Sequence, residues 1–154
     1  MIEFTQSEDC KVDPKGRFML PVLYRKQMGQ ALSEGFVIRK SSYTNCIELH
    51  TKASWQKFLA KLRELNPDII ENQIIIRQEL AGVREIYLDT ADRLLIPKEM
   101  LSAVGITNKI IFSPMFSYLE MWSPANYENH MQETAAGYAE LKNRVMSQIG
   151  NGKS

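Results

Sequence analysis

Two short runs of this 154-residue chain carry the residue types from which a nucleic-acid contact is built. In the first, Asp13-Pro-Lys15-Gly16-Arg17, two cations stand two residues apart beside a carboxylate and a glycine. Arg17 presents a planar fork that matches guanine O6 and N7 or a phosphate, and Lys15 is a point charge suited to phosphate. Gly16 gives the turn a backbone that tolerates positive φ and close approach. Asp13, which DNA would repel, is expected to accept hydrogen bonds from the turn's N–H groups or to hold Arg17 in one rotamer. The plainer alternative is that Asp13 and Arg17 form a turn-stabilising pair that touches nothing else. The second run, Asp89-Thr-Ala-Asp92-Arg93, repeats the aspartate and arginine at the same spacing.

Other candidate chemistry is thinner. Cys46 and His50 lie four apart on one expected strand and face one side, but no third ligand accompanies them. A buried cysteine and a surface histidine are the expectation, with no metal. No nucleophile–base order, glycine-rich phosphate loop or metal-binding helix motif is present, so neither enzyme nor cofactor is expected. Arg25-Lys26 and Arg39-Lys40 either widen the basic patch around Lys15 and Arg17 or stand as solvated pairs.

The elements that must position these residues occur twice. Asp13, Arg17 and Pro21 return as Asp89, Arg93 and Pro97, each 76 residues on, and Met28-Gly29 returns as Val104-Gly105. Ile47-Glu48-Leu49 returns as Leu119-Glu120-Met121, and Trp55 as Tyr127, at 72. The drop of 4 implies a longer loop in the first copy. Two copies are too few for a solenoid, so each half is expected to complete the other. Each copy opens on a strand, Phe4 to Val12 or Val83 to Asp89, then turns into a short strand, Arg17 to Leu20 or Arg93 to Ile96. Pro21 and Pro97 end these strands and start short helices, Val22 to Met28 and Lys98 to Val104, stopped by Gly29 and Gly105. Hairpins follow, Phe36 to Lys40 with Cys46 to His50 and Lys109 to Ser113 with Tyr118 to Trp122.

A helix closes each copy. The first runs from Lys52 to Leu65 with Thr51 as its cap; the second is capped by Ser123, opens at Pro124 and continues to about Ile149. In the second, Tyr127, Met131, Tyr138, Leu141, Val145 and Ile149 form an apolar stripe, expected to pack on its own sheet rather than on a neighbouring subunit. Asp68 to Leu80 is a helical linker, and Gly150 to Ser154 is expected to fray.

Bulk composition narrows the class. A net charge of +1 advertises no global affinity for nucleic acid, so an anion-binding surface must come from local clustering or from several subunits. Two cysteines without a CxxC pair fit a reducing compartment. No apolar stretch approaches the length of a membrane span and no cleavable leader is visible, so a soluble cytoplasmic protein is expected.

The doubled Asp-x-x-x-Arg with proline, glycine and the Glu-containing strand in register resembles the bacterial MraZ family, whose halves are AbrB-like (SpoVT-AbrB) repeats. The resemblance places repeat 1 at 7–54, a helical linker at 55–82, repeat 2 at 83–126, and a C-terminal helix and frayed tail at 127–154. It implies a mainly β fold with helices, a double-split β-barrel of pseudo-two-fold symmetry. It further implies a ring-like homo-oligomer that binds double-stranded DNA at promoter direct repeats of the division and cell wall gene cluster, commonly as a repressor on the nucleoid. DNA contacts would fall to Lys15, Arg17 and Arg93, with Asp13, Gly16 and Asp89 forming the turns. Two departures stand out: Asp92 stands where the family usually has glycine, with Ala91 where the first copy has Lys15, and Met1-Ile-Glu-Phe lacks the usual early glycine. An AbrB-type barrel kept for assembly alone, as a scaffold or antitoxin-like protein, is the competing function.

Overall fold

The computed structural model describes residues 2–150 and is mixed α/β, with an antiparallel six-stranded sheet, a separate two-stranded ribbon and helices around them. In chain order the elements are β1 (Glu8–Lys11), β2 (Arg17–Phe18), α1 (Val22–Met28), α2 (Ala31–Glu34), β3 (Phe36–Lys40), β4 (Ile47–Thr51), α3 (Lys52–Leu62) and α4 (Ile70–Leu80). The second half supplies β5 (Arg84–Ile86), β6 (Leu94–Leu95), α5 (Lys98–Ala103), β7 (Lys109–Pro114), β8 (Tyr118–Trp122), α6 (Pro124–Ala135) and α7 (Tyr138–Gly150).

Pairing crosses between the halves. The sheet order is β1-β7-β8-β4-β3-β5, so the first strand of each half pairs with the hairpin of the other. β4 and β8 meet with Glu48 opposite Glu120, and β2 and β6 meet with Phe18 opposite Leu94. Both pairs join equivalent positions of the two halves, so one pseudo-two-fold axis runs through sheet and ribbon. Ile38 pairs with Leu49 where Phe112 pairs with Met121, which puts equivalent residues 74 apart in the third strands and 72 apart in the fourth. The extra length of the first half is therefore divided between the α2 segment and the β3–β4 loop.

Alternation along the strands builds the core. Phe18, Leu20, Leu94 and Ile96 of the ribbon turn inward against Ile38, Leu49, Ile110, Phe112 and Leu119 of the sheet. Tyr24 sits edge-on to Phe4 and Phe112, at centroid distances of 5.6 and 5.5 Å, and its hydroxyl donates to Gln6 O at 2.6 Å. Each such side chain contributes roughly 1.5–3 kcal/mol by leaving water. β4 is buried along its whole length because Ile47 and Leu49 face this core while Glu48 and His50 lie on the opposite face, under α3.

Several expectations change. The six-stranded sheet is open, with β1 and β5 at its edges, and is not a closed barrel. Its opening strand is shorter than expected, because Phe4 joins only through a bridge to Phe116 and regular pairing starts at Glu8. Thr51 and Ser123 cap α3 and α6 as expected, accepting from Ser54 N at 3.1 Å and Asn126 N at 3.0 Å. The long C-terminal helix is two helices, since Ala136 is extended (ψ 125°) and Gly137 takes φ 73°. Tyr127 packs against Trp122, but Met131, Tyr138, Leu141, Val145 and Ile149 are all exposed, so the stripe does not bury itself on its own sheet. Gly150 ends α7, and the rest of the tail expected to fray lies outside the described residues.

Gly16 is one place where the backbones of the two halves approach closely. Its φ is +91°, its carbonyl accepts from Ile96 N at 2.9 Å, and a Cβ there would sit 2.5 Å from Ile96 O. Gly16→Ala is expected to cost about 2–4 kcal/mol in denaturant unfolding, combining a left-handed backbone with a steric clash. Gly82→Ala, at φ +73° in open space, should cost only ~1 kcal/mol. Equal losses would show that the Gly16–Ile96 approach is not tight.

Candidate nucleic-acid interface

The first turn is organised by one carboxylate. Asp13 Oδ1 accepts from Lys15 N at 3.0 Å and Arg17 N at 2.9 Å, while Oδ2 accepts from Arg17 Nε at 2.7 Å. Backbone bonds close the loop, Asp13 N to Arg17 O and Gly16 N to Asp13 O, each 2.9 Å. Donors on three sides, the Arg17 backbone N–H foremost, hold the Asp13 carboxyl below the usual carboxylate range. Because only Nε is engaged, the terminal nitrogens of Arg17 have no partner among the described residues, nor does the Lys15 ammonium.

The second turn repeats the construction. Asp89 accepts from Ala91 N at 2.9 Å, Arg93 N at 2.8 Å and Arg93 Nε at 3.1 Å, and its carboxyl is lowered for the same reason. Asp92 holds the place of Gly16 by adopting φ 60°, a conformation aspartate reaches more readily than most residues.

β2 and β6 bring the two arginines to one surface. Arg17 opposes Leu95, and Arg93 immediately precedes β6, two residues before Leu95. With Phe18, Leu20, Leu94 and Ile96 turned inward, the outer face of the ribbon carries Arg17, Met19, Arg93 and Leu95. Diagonal neighbours of this kind stand about 7–8 Å apart. The guanidiniums thus flank a small apolar patch, Met19 at 44% and Leu95 at 51% exposure. Arg25 lies close by, its Nε donating to Leu20 O at 3.0 Å. All six residues singled out in the sequence, Asp13, Lys15, Gly16, Arg17, Asp89 and Arg93, belong to this ribbon and its turns.

Arg39 does not. It is only 5% exposed, on the face of the six-stranded sheet opposite the core, and donates to Glu48 Oε1 at 2.9 Å and to the Glu79 carboxylate. His50, expected on the surface, is buried beside it, with Nε2 2.9 Å from Glu48 Oε1 and Nδ1 3.1 Å from Ser54 Oγ. Arg39 also stacks on Phe58, 4.3 Å from the ring centroid. Cys46 is buried as expected, and no group of three metal-ligating side chains occurs among the described residues. No local signal in the sequence marked this cluster, whose members meet only after β3, β4 and α4 are in place.

Glu48 offers a test. Burial opposes its ionised form, but bonds from His50 and Arg39 outweigh that and hold its pKa below the ordinary value. The stability it contributes is therefore present above the unfolded carboxylate pKa and is lost as pH falls through the folded one. Glu48→Gln should cost about 3 kcal/mol at neutral pH. Its denaturant midpoint should also fall less steeply than wild type on acidification below about pH 4.5. Parallel acid profiles would contradict the assignment.

With this geometry in place, comparison with known proteins is specific. The family model described as "MraZ protein, putative antitoxin-like" matches residues 4–75 and again 80–148. A protein of Flavobacterium psychrophilum is 35% identical over 143 residues, covering 93% of this chain and 91% of its own. One of Christiangramia forsetii is 34% identical over 146 residues, covering 95% and 94%, and one of Bacteroides thetaiotaomicron 30% over 154 residues, covering 97% and 99%. Each is named transcriptional regulator MraZ, a regulatory role and not an enzymatic one. Two matched regions that follow the duplicated strand order, together with relatives alike over nearly the whole length, establish that this chain belongs to the MraZ family.

Proposed function

We propose that this protein is a sequence-specific transcriptional regulator that grips double-stranded promoter DNA with the outer face of the β2–β6 ribbon. The observation that carries the reading is the pair of carboxylate-anchored turns, which leaves the terminal nitrogens of Arg17 and Arg93 without partners among the described residues at diagonal positions on the outer face of one ribbon. A two-stranded ribbon is narrow enough to enter the major groove, where an arginine fork meets guanine O6 and N7. Lys15 supplies a phosphate contact that the second turn lacks, and Asp92 offsets part of the Arg93 charge. One chain therefore presents one strong basic turn, and useful affinity calls for several chains on neighbouring promoter repeats, as in a ring-like homo-oligomer. On this reading the protein represses the division and cell wall gene cluster from the nucleoid in the cytoplasm, and its two open sheets are the halves of a double-split barrel.

A second reading, a scaffold or antitoxin-like interaction protein that does not bind DNA, draws support from the uncovered apolar face of α7. Titration of the protein's own promoter fragment at two salt concentrations separates the two. Arg17→Ala is expected to weaken binding by at least 1–3 kcal/mol, roughly the worth of one arginine–guanine contact, and Arg93→Ala by less. Asp92→Gly should leave affinity unchanged or raise it. No salt-sensitive retention of the fragment by wild type would favour the scaffold, and an Arg93→Ala defect as large as that of Arg17→Ala would overturn the ranking of the turns.

A further inference from the structure

The geometry points to a binding site for a small planar anion, a ring bearing a phosphate or carboxylate, in the cavity between α3 and the outer face of β3, β4 and β8. The cavity holds about 390 Å³, and Arg39, His50, Lys57, Phe58, Lys61 and Tyr118 do most of its lining. Pockets of a few hundred Å³ with apolar walls and a few convergent polar groups are the usual form of small-molecule sites.

Its floor is built. Arg39, Glu48 and His50 are each at least nine-tenths buried and bonded to one another, so the charges under the cavity are fixed in place. Tyr118 stacks on His50 with centroids 4.6 Å apart, and Phe58 lies beneath the Arg39 guanidinium. These rings make a flat wall suited to a planar ligand. At the mouth, Lys57 and Lys61 stand one helical turn apart on α3, and neither has a carboxylate partner among the described residues. The Tyr118 hydroxyl likewise makes no hydrogen bond there. Glu48 is the only carboxylate lining the cavity, its Oε1 is taken by Arg39 and His50, and with Arg39, Lys57 and Lys61 against it the charge excess of the lining is positive.

The duplication shows that the fold does not require this arrangement. Equivalent positions in the second half carry Ser113 for Arg39, Trp122 for His50, Asn129 for Lys57, His130 for Phe58 and Glu133 for Lys61. There Trp122 lies against Tyr127 and His130, its indole N–H donates to Glu120, and the three cations are gone. Arg39 is also tied to α4 through Glu79, whereas Lys57 and Lys61, which the second half replaces, have no carboxylate partner among the described residues and are open to a ligand. The cavity lies across the core from the β2–β6 ribbon, so the inference does not rest on the DNA reading.

Calorimetric titration of the full chain with adenosine 5′-monophosphate, salicylate and inorganic phosphate tests it. At least one ring-bearing anion should saturate near one per chain, more than about tenfold tighter than inorganic phosphate. The one that binds more tightly identifies the preferred anionic group. In Lys57→Ala/Lys61→Ala, whose substitutions are on the surface, affinity should fall about tenfold or more with the melting temperature retained, as expected for lost charge-assisted bonds. The inference is overturned if neither ring compound gives saturable heat up to about 10 mM, as when a neighbouring subunit fills the cavity. Undiminished affinity in the double lysine variant would overturn it equally.

Discussion

Neither half of this chain can complete its own sheet. β1 needs β7, β5 needs β3, and the two remaining contacts, β4 with β8 and β2 with β6, join equivalent strands across a pseudo-two-fold axis. Backbone groups left without these partners would be unpaired beside a packed core, at a cost comparable to a lost hydrogen bond each. The halves therefore fold as one unit, and the ribbon exists only where they meet. Placing the two Asp-x-x-x-Arg turns 76 residues apart is how the chain brings Arg17 and Arg93 to a single surface.

Within that frame a carboxylate does structural work that looks electrostatically wrong for a turn proposed to face DNA. Asp13 and Asp89 each accept three bonds from their own turn, the last of them from arginine Nε. An arginine held through Nε keeps its terminal nitrogens together in a fixed plane, so less rotamer freedom is lost on contact. The same bonds explain why the pattern tolerates Ala91 and Asp92 in the second copy. The turn depends on the aspartate and on a residue that accepts positive φ, which Gly16 meets at no cost and Asp92 at modest cost.

Local signals carried much of this in the sequence. Proline before α1 and α5, Thr51 and Ser123 as caps, and the aspartate–arginine spacing each act within a few residues, and each is realised in the structure. What failed depended on partners remote in sequence. Arg39 read as a surface cation because Glu48 and Glu79, 9 and 40 residues away, meet it only after β4 and α4 are in place. Periodicity showed that α7 has an apolar face but not what covers it, and Gly137 was too weak a breaker to split the helix on paper. The exchange of β1 and β5 between halves has no local signature, which is why a closed barrel was as natural an expectation as an open sheet.

Asp13 is proposed to serve DNA binding by organising Arg17, although its charge opposes DNA. Titration of the promoter fragment with Asp13→Asn isolates that claim, because the substitution removes a negative charge from the proposed surface while nearly conserving shape. A purely electrostatic surface would bind more tightly. Release of Arg17 from its bond to Asp13 Oδ2 predicts weaker binding instead, by about 1–3 kcal/mol with the fold intact, the range expected for a hydrogen bond between charged groups. Affinity equal to or above wild type would contradict the account.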